Sequence, residues 1–167
     1  MGFNANSPAM PEKQITEQIT AAIAYLRQGR SAQAFLLLSE PGAEKESAAS
    51  FALGLCRLRA GELTAAVSCF EQALNLLRAM PSKPPLRLET SETYIKLSES
   101  QIAEKVYLTP MDVDFCASFP KAAEQNVLLA LIDTCVQNGM MEQARRLSSA
   151  LTGPVFEGYK KKLMENC

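Results

Sequence analysis

The chain has 167 residues and no histidine. Histidine is the commonest general base, and without it neither a Ser-His-Asp nor a Cys-His arrangement can be assembled within one chain. The same absence excludes mixed Cys/His zinc sites. Tryptophan is missing too, and aromatic residues make up only 7%, which leaves little from which to build a base-stacking platform. Neither G-x-x-x-x-G-K-S/T nor G-x-G-x-x-G occurs, so the usual phosphate cradles are lacking. No apolar run approaches the ~20 residues that cross a bilayer. The opening "MGFNANSPAMPEK" does not have the basic-then-apolar order of a signal peptide. Charge is almost cancelled: 17 Lys and Arg stand against 18 Asp and Glu, for a net charge of −1 and a pI near 5.6. Nucleic acid needs a strong positive field and is not an expected partner.

What the chain does have is apolar content, 47% of its residues, enough to bury a core. Five cysteines stand at 56, 69, 116, 135 and 167, with no C-x-x-C pair. The number is odd and several lie inside apolar segments. They read as reduced core thiols of a cytoplasmic protein rather than as a disulfide framework. In "TPMDVDFC" the pair Asp112 and Asp114 admits two readings. A D-x-D motif can hold a divalent cation. More simply, Thr109 caps a short helix and Asp112 sits in its first turn, where the helix dipole favours a carboxylate. The second needs no ion, and we expect no catalytic residue, no metal, no cofactor and no enzymatic activity.

Internal similarity is the strongest signal. "ITAAIAYLRQGRSAQAFLLL" (19–38), "ALGLCRLRAGELTAAVSCF" (52–70) and "LALIDTCVQNGMMEQARRL" (129–147) align on Gly29, Gly61 and Gly139, and five residues after each glycine comes Ala34, Ala66 or Ala144. A glycine ends a helix where a left-handed residue is needed, and a small alanine lets the next helix lie close. Helices are expected near 11–28, 31–39, 44–60, 63–79, 86–106, 120–138, 140–151 and 154–165, about eight in all. Leu88, Ile95, Ile102 and Val106 make one apolar stripe on the fifth, whose remaining Ser, Thr and Glu residues imply a wet face. The first two turn glycines are 32 residues apart and the last two 78, so an irregular unit is expected at about 84–118. "AMPSKPPLR" (79–87) reads as a stiff linker. The first ten residues read as a flexible tail, and "YKKKLMEN" as the polar face of a capping helix at 154–165 that buries Val155, Phe156, Tyr159 and Leu163.

In the middle copy, Leu53, Gly54, Gly61, Ala66, Phe70 and Ala73 resemble the pattern of the tetratricopeptide repeat (TPR), a 34-residue helix–turn–helix unit. Ser50 stands where that family has an aromatic, and Arg78 where it has its closing proline. The outer copies share the Gly-x4-Ala spacing, with Ala21-Ala22 and Leu131-Ile132 in place of Leu-Gly. The resemblance covers about 100 residues and implies an all-α fold of stacked antiparallel helical hairpins, a right-handed α-solenoid over 11–167.

It also implies where a partner would bind. In TPR proteins the first helix of each hairpin lines a concave face that holds an extended peptide or a helix. Carried over by alignment, those positions are Thr16, Ile19, Ile23 and Arg27; Ala48, Phe51, Leu55 and Arg59; and Asn126, Leu129, Asp133 and Gln137. The expected groove is apolar, centred on Ile23, Phe51 and Leu55. Arg27 and Arg59 are equivalent in adjacent units, so an acidic residue on the partner can meet both, although cations also favour helix C-termini for local reasons. Some TPR co-chaperones grip a terminal carboxylate with Lys, Asn and Arg. Ile19, Ile23, Phe51 and Leu55 replace that clamp here, so the activity is not transferred. The expected function is non-enzymatic protein binding, as an adaptor, chaperone, scaffold or assembly factor. The layout also resembles the small TPR chaperones of bacterial type III secretion. The alternative is a structural subunit of a larger complex, or one that self-associates.

Overall fold

Gly29, Gly61 and Gly139 adopt nearly the same backbone conformation, with φ of 76°, 78° and 74°. Each sits in the same pair of hydrogen bonds. The glycine N–H donates three residues back, to Leu26, Leu58 or Val136, and the next N–H donates five residues back, to Tyr25, Arg57 or Cys135. This closes the last turn of one helix and turns the chain back on itself. An L-residue in that left-handed conformation would cost ~1–2 kcal/mol. The computed structural model describes residues 11–81 and 91–165. Among the described residues there are nine α-helices and no strand: α1 (Glu12–Arg27), α2 (Ser31–Leu38), α3 (Ser47–Arg59), α4 (Leu63–Arg78), α5 (Glu92–Ala103), α6 (Val113–Ser118), α7 (Pro120–Gln137), α8 (Met141–Ser148) and α9 (Glu157–Glu165).

The three glycine turns make three antiparallel hairpins, α1–α2, α3–α4 and α7–α8. Ala34, Ala66 and Ala144, at the start of each second helix, are completely buried. The hairpins stack in order, α2 against α3 and α4 against α7. The fold is therefore all-α and built of packed helical hairpins. The described part of the irregular unit expected at 84–118, residues 91–118, inserts no layer between α4 and α7, which pack directly on each other.

The largest departures from expectation lie between α5 and α7. The fifth helix, expected over 86–106, ends at Ala103 as α5, and Lys105 beyond it has a left-handed φ of 56°. No residue of α5 is fully buried; Ile95 and Ile102 are half-buried and Val106 is exposed. The short helix expected after Thr109 forms as α6 but starts later, at Val113, with Asp114 rather than Asp112 in its first turn. Thr109 does not cap it: its hydroxyl donates to the Val106 carbonyl (2.7 Å), and the residue preceding α6 is Asp112. The expected tail at 1–10, Leu88, the linker beyond Pro81 and Cys167 lie outside the described residues. At the C-terminal side a 3₁₀ turn (Pro154–Phe156) leads into α9, which packs on α8. Phe156 and Leu163 enter the core, with Val155 and Tyr159 half-buried against it.

Helix α3 lies between two apolar clusters. Ala49, Ala52 and Cys56 face one, with Ile19, Ile23, Leu26 and Leu38. Ala48, Phe51 and Leu55 face the other, with α4 and α7. The α3–α4 contact is close enough to need a glycine: a Cβ on Gly54 would lie 2.5 and 2.6 Å from Phe70 ring carbons. Phe70 is completely buried and packs its ring 5.4 Å from that of Phe51, so it has little room to retreat. We predict that Gly54→Ala destabilises the protein by about 1–2 kcal/mol in urea denaturation, overpacking outweighing the gain in helix propensity. Adding Phe70→Leu should cost less than it does in the parent chain. A stabilised Gly54→Ala would refute the close contact.

Candidate partner-binding face

The twelve positions assigned to a groove fall into two groups. Ile19, Ile23, Ala48, Phe51, Leu55 and Leu129 are at most 2% exposed. They do not form an open apolar groove. Apolar surface left in water is unfavourable by about 25 cal/mol per Å², and here the chain covers its own. The remaining six are polar and reach, at least partly, the surface.

Neighbouring hairpin helices supply part of the cover, Ile19 and Ile23 sharing a cluster with Ala34 and Leu38 and Phe51 packing on Phe70, and residues 107–118 supply another part. Helix α6 touches α1, α3 and α7, the first helices of all three hairpins. Ahead of it, a 3₁₀ turn (Val106–Leu108) rests on α7. Tyr107, Met111 and Cys116 are buried. The polar groove positions hold this segment by its polar groups. Arg27 Nη2 donates to Asp112 Oδ2 at 3.0 Å. Asn126 Nδ2 lies 3.6 Å from the Met111 sulfur. Asp133 accepts from Lys105 Nζ at 2.9 Å and lies beside the Tyr107 hydroxyl. Thus Arg27 does meet a carboxylate, one supplied by its own chain. Arg59 does not join it: its Nη1 donates to the Leu26 carbonyl (3.1 Å) and to Ser31 Oγ (3.0 Å), which ties α3 to the end of α1. Thr16 bonds back to the Glu12 carbonyl at 3.1 Å, and Gln137 is exposed at the far end of α7.

The structure thus adds Tyr107, Met111, Asp112 and Cys116 to this face. Their sequence signal was slight. "PMDVDFC" carries apolar residues between two prolines, but its partners are remote, Asp112 pairing with a residue 85 positions earlier. Under the segment, Ser47 Oγ is buried with no hydrogen bond of ordinary length and angle, and the Cys116 thiol lies beside it. A cleft of about 230 Å³ opens along the segment's other flank, lined by Tyr94, Ile102, Tyr107, Phe115, Leu129 and Phe156 among others.

The thiols are poor nucleophiles. Cys56, Cys69, Cys116 and Cys135 are all free. Burial pushes Cys56, Cys116 and Cys135 up to about 11; at Cys116 the Ser47 hydroxyl works against the rise. Burial also raises Tyr107, and the Asp133 carboxylate adds to this. Among the described residues no group of three or more His, Cys, Asp or Glu is placed to hold a metal ion. No described helix is long and apolar enough to cross a membrane. Compared with family models, with curated proteins and with solved structures, the chain matches none.

The raised thiols make stability depend on pH in one direction. Each keeps its proton to higher pH in the folded than in the unfolded chain, so its contribution is complete below pH 9 and is lost as pH rises from 9.0 to about 11. We predict a urea midpoint that is level between about pH 7 and 8 and falls between about 9 and 11. Cys116→Ala should flatten part of that fall. A midpoint that rises over the same window would contradict the buried, protonated thiols.

Proposed function

We propose that this chain is a non-enzymatic protein-interaction module, an adaptor, chaperone or assembly factor, that binds a peptide or amphipathic helix on the face lined by α1, α3 and α7. The observation that carries the reading is the segment already there. Residues 107–118 lie on that face as a peptide would, with apolar side chains inward and a carboxylate on Arg27. A face that holds one such segment has the chemistry to hold another. The resemblance of Leu53, Gly54, Gly61, Ala66, Phe70 and Ala73 to the TPR pattern supports the same face, since the first helices of hairpins bind partners in that family. Free thiols buried in the core fit a reducing compartment such as the cytoplasm.

The resident segment also describes the partner. It has an acidic residue at the Asp112 position, an apolar residue after it like Val113, and a small buried residue three further on like Cys116. A second reading, a permanent subunit of a larger assembly, is favoured by one feature. Helix α5 leaves Leu97 62% and Tyr94 40% exposed, and that face would be covered in such an assembly.

A peptide-library selection on the folded protein tests the first reading. Selected peptides should carry an acidic residue followed by apolar residues one and four positions later. Replacing that acid by Ala should weaken binding about two- to five-fold, the range of a half-exposed ion pair, and should change nothing against Arg27→Ala. No enrichment, or peptides indifferent to Arg27, would refute it.

A further inference from the structure

We propose that residues 107–118 are an internal competitor for the partner-binding face, which a partner segment must displace, and that the partner seats there with a hydroxyl or amide where Cys116 now lies. This rests on the protein-binding reading and adds its regulation and its specificity.

The segment lies outside the contacts that join the hairpins, which meet through α2–α3 and α4–α7, although its Tyr107, Met111 and Cys116 are buried against the cluster that α4 and α7 share. Breaks bound it on both sides. Before it, Lys105 holds a left-handed φ of 56°, a strained conformation for a side chain with a Cβ. After it, Phe119 has a non-helical φ of −131° and Pro120 opens α7. Helix α6 is six residues long, too short to be stable without what it rests on.

The segment also fits its seat imperfectly, and the misfits are polar. Ser47 is 2% exposed beneath it, and its Oγ makes no hydrogen bond of ordinary length and angle, with only a thiol, that of Cys116, acting on it, an arrangement that costs free energy for as long as the segment stays. The neighbouring group is a thiol, a weak donor and weak acceptor. Asn126 spends an N–H on the thioether of Met111, also a weak acceptor. The Arg27–Asp112 pair is half-exposed on both sides and holds little. A partner that keeps the acidic and apolar residues, but brings a hydroxyl or amide to Ser47 and an oxygen to Asn126, gains bonds the resident segment lacks. The resident therefore acts as a weak ligand. It covers apolar surface while no partner is bound and lowers the apparent affinity of every partner by the fraction of time it is seated.

The test uses the intact wild-type chain and two of its own thiols. Cys116 belongs to the segment and is 1% exposed, and Cys135 lies on α7 in the stack at 0%. Pulse alkylation with N-ethylmaleimide, read at each cysteine by mass spectrometry, reports opening of the segment at Cys116 and of the stack at Cys135. The probe is a synthetic peptide of residues 106–119 with Cys116→Ser, which places a hydroxyl against Ser47. We expect Cys116 to label at least ~10-fold faster than Cys135, reflecting local rather than global opening. Saturating probe should raise the Cys116 rate further, again by about ten-fold, and leave Cys135 unchanged. The 106–119 peptide with Cys116→Ala, which offers Ser47 no polar partner, should need a higher concentration for the same effect. Equal labelling of Cys116 and Cys135, unmoved by probe, would overturn the proposal. So would a peptide that binds, by anisotropy, in an Arg27-dependent way yet leaves Cys116 unchanged; that result would spare the protein-binding reading. If the library yields no peptide at all, the reading itself fails and the competitor with it.

Discussion

Val113 touches both hydrophobic clusters of the protein, the one beneath α1 and α2 and the one shared by α4 and α7. Its position depends on a longer constraint. The first helices of three hairpins meet at one face, and the second helices cover part of their apolar side chains, Phe70 packing on Phe51 and Ala34 and Leu38 sharing a cluster with Ile23. The rest must be covered too, because large apolar side chains left open together are unfavourable in water. The chain meets the requirement with residues 107–118, drawn from the long connection between α4 and α7. The burial of Met111 and Cys116, the Arg27–Asp112 pair and the poorly bonded Ser47 all follow from placing that piece on that face.

The stack beneath is locally determined. Each hairpin closes through the same glycine geometry, and each second helix begins against a buried alanine five residues on. Gly54 lets α3 and α4 approach until the Phe70 ring fills the space a Cβ would take. These are short-range instructions, and they were legible: the three hairpins and the capping helix fall within a few residues of where spacing and turn residues put them. What was not legible depends on contacts between distant parts of the chain. Helix α6 has six residues and no periodicity to read. Its lysine, aspartate and tyrosine neighbours act on Asp133, Arg27 and again Asp133 across 28 positions or more for each ion pair. The TPR resemblance places the apolar groove positions on one face. It says nothing of what the intervening segment covers.

A face that must be covered and a cover that fits it imperfectly together favour exchange. The apolar residues set the demand for an occupant, while Arg27, Ser47 and Asn126 set its chemistry. The resident meets the apolar demand well and the polar one poorly. That difference is what a partner of the same outline, carrying oxygen where the resident carries sulfur, can use.

The most direct measurement is native-state hydrogen exchange across the chain, resolved by residue. The account turns on the segment opening by itself. The Cys116 and Phe119 amides, bonded to the Asp112 and Phe115 carbonyls, should therefore exchange through an opening well below that of the α3, α4 and α7 amides, and with little denaturant dependence, as for a local opening. If Cys116 and Phe119 instead exchange only together with α3, α4 and α7, the segment is an inseparable part of the core and does not act as an exchangeable occupant.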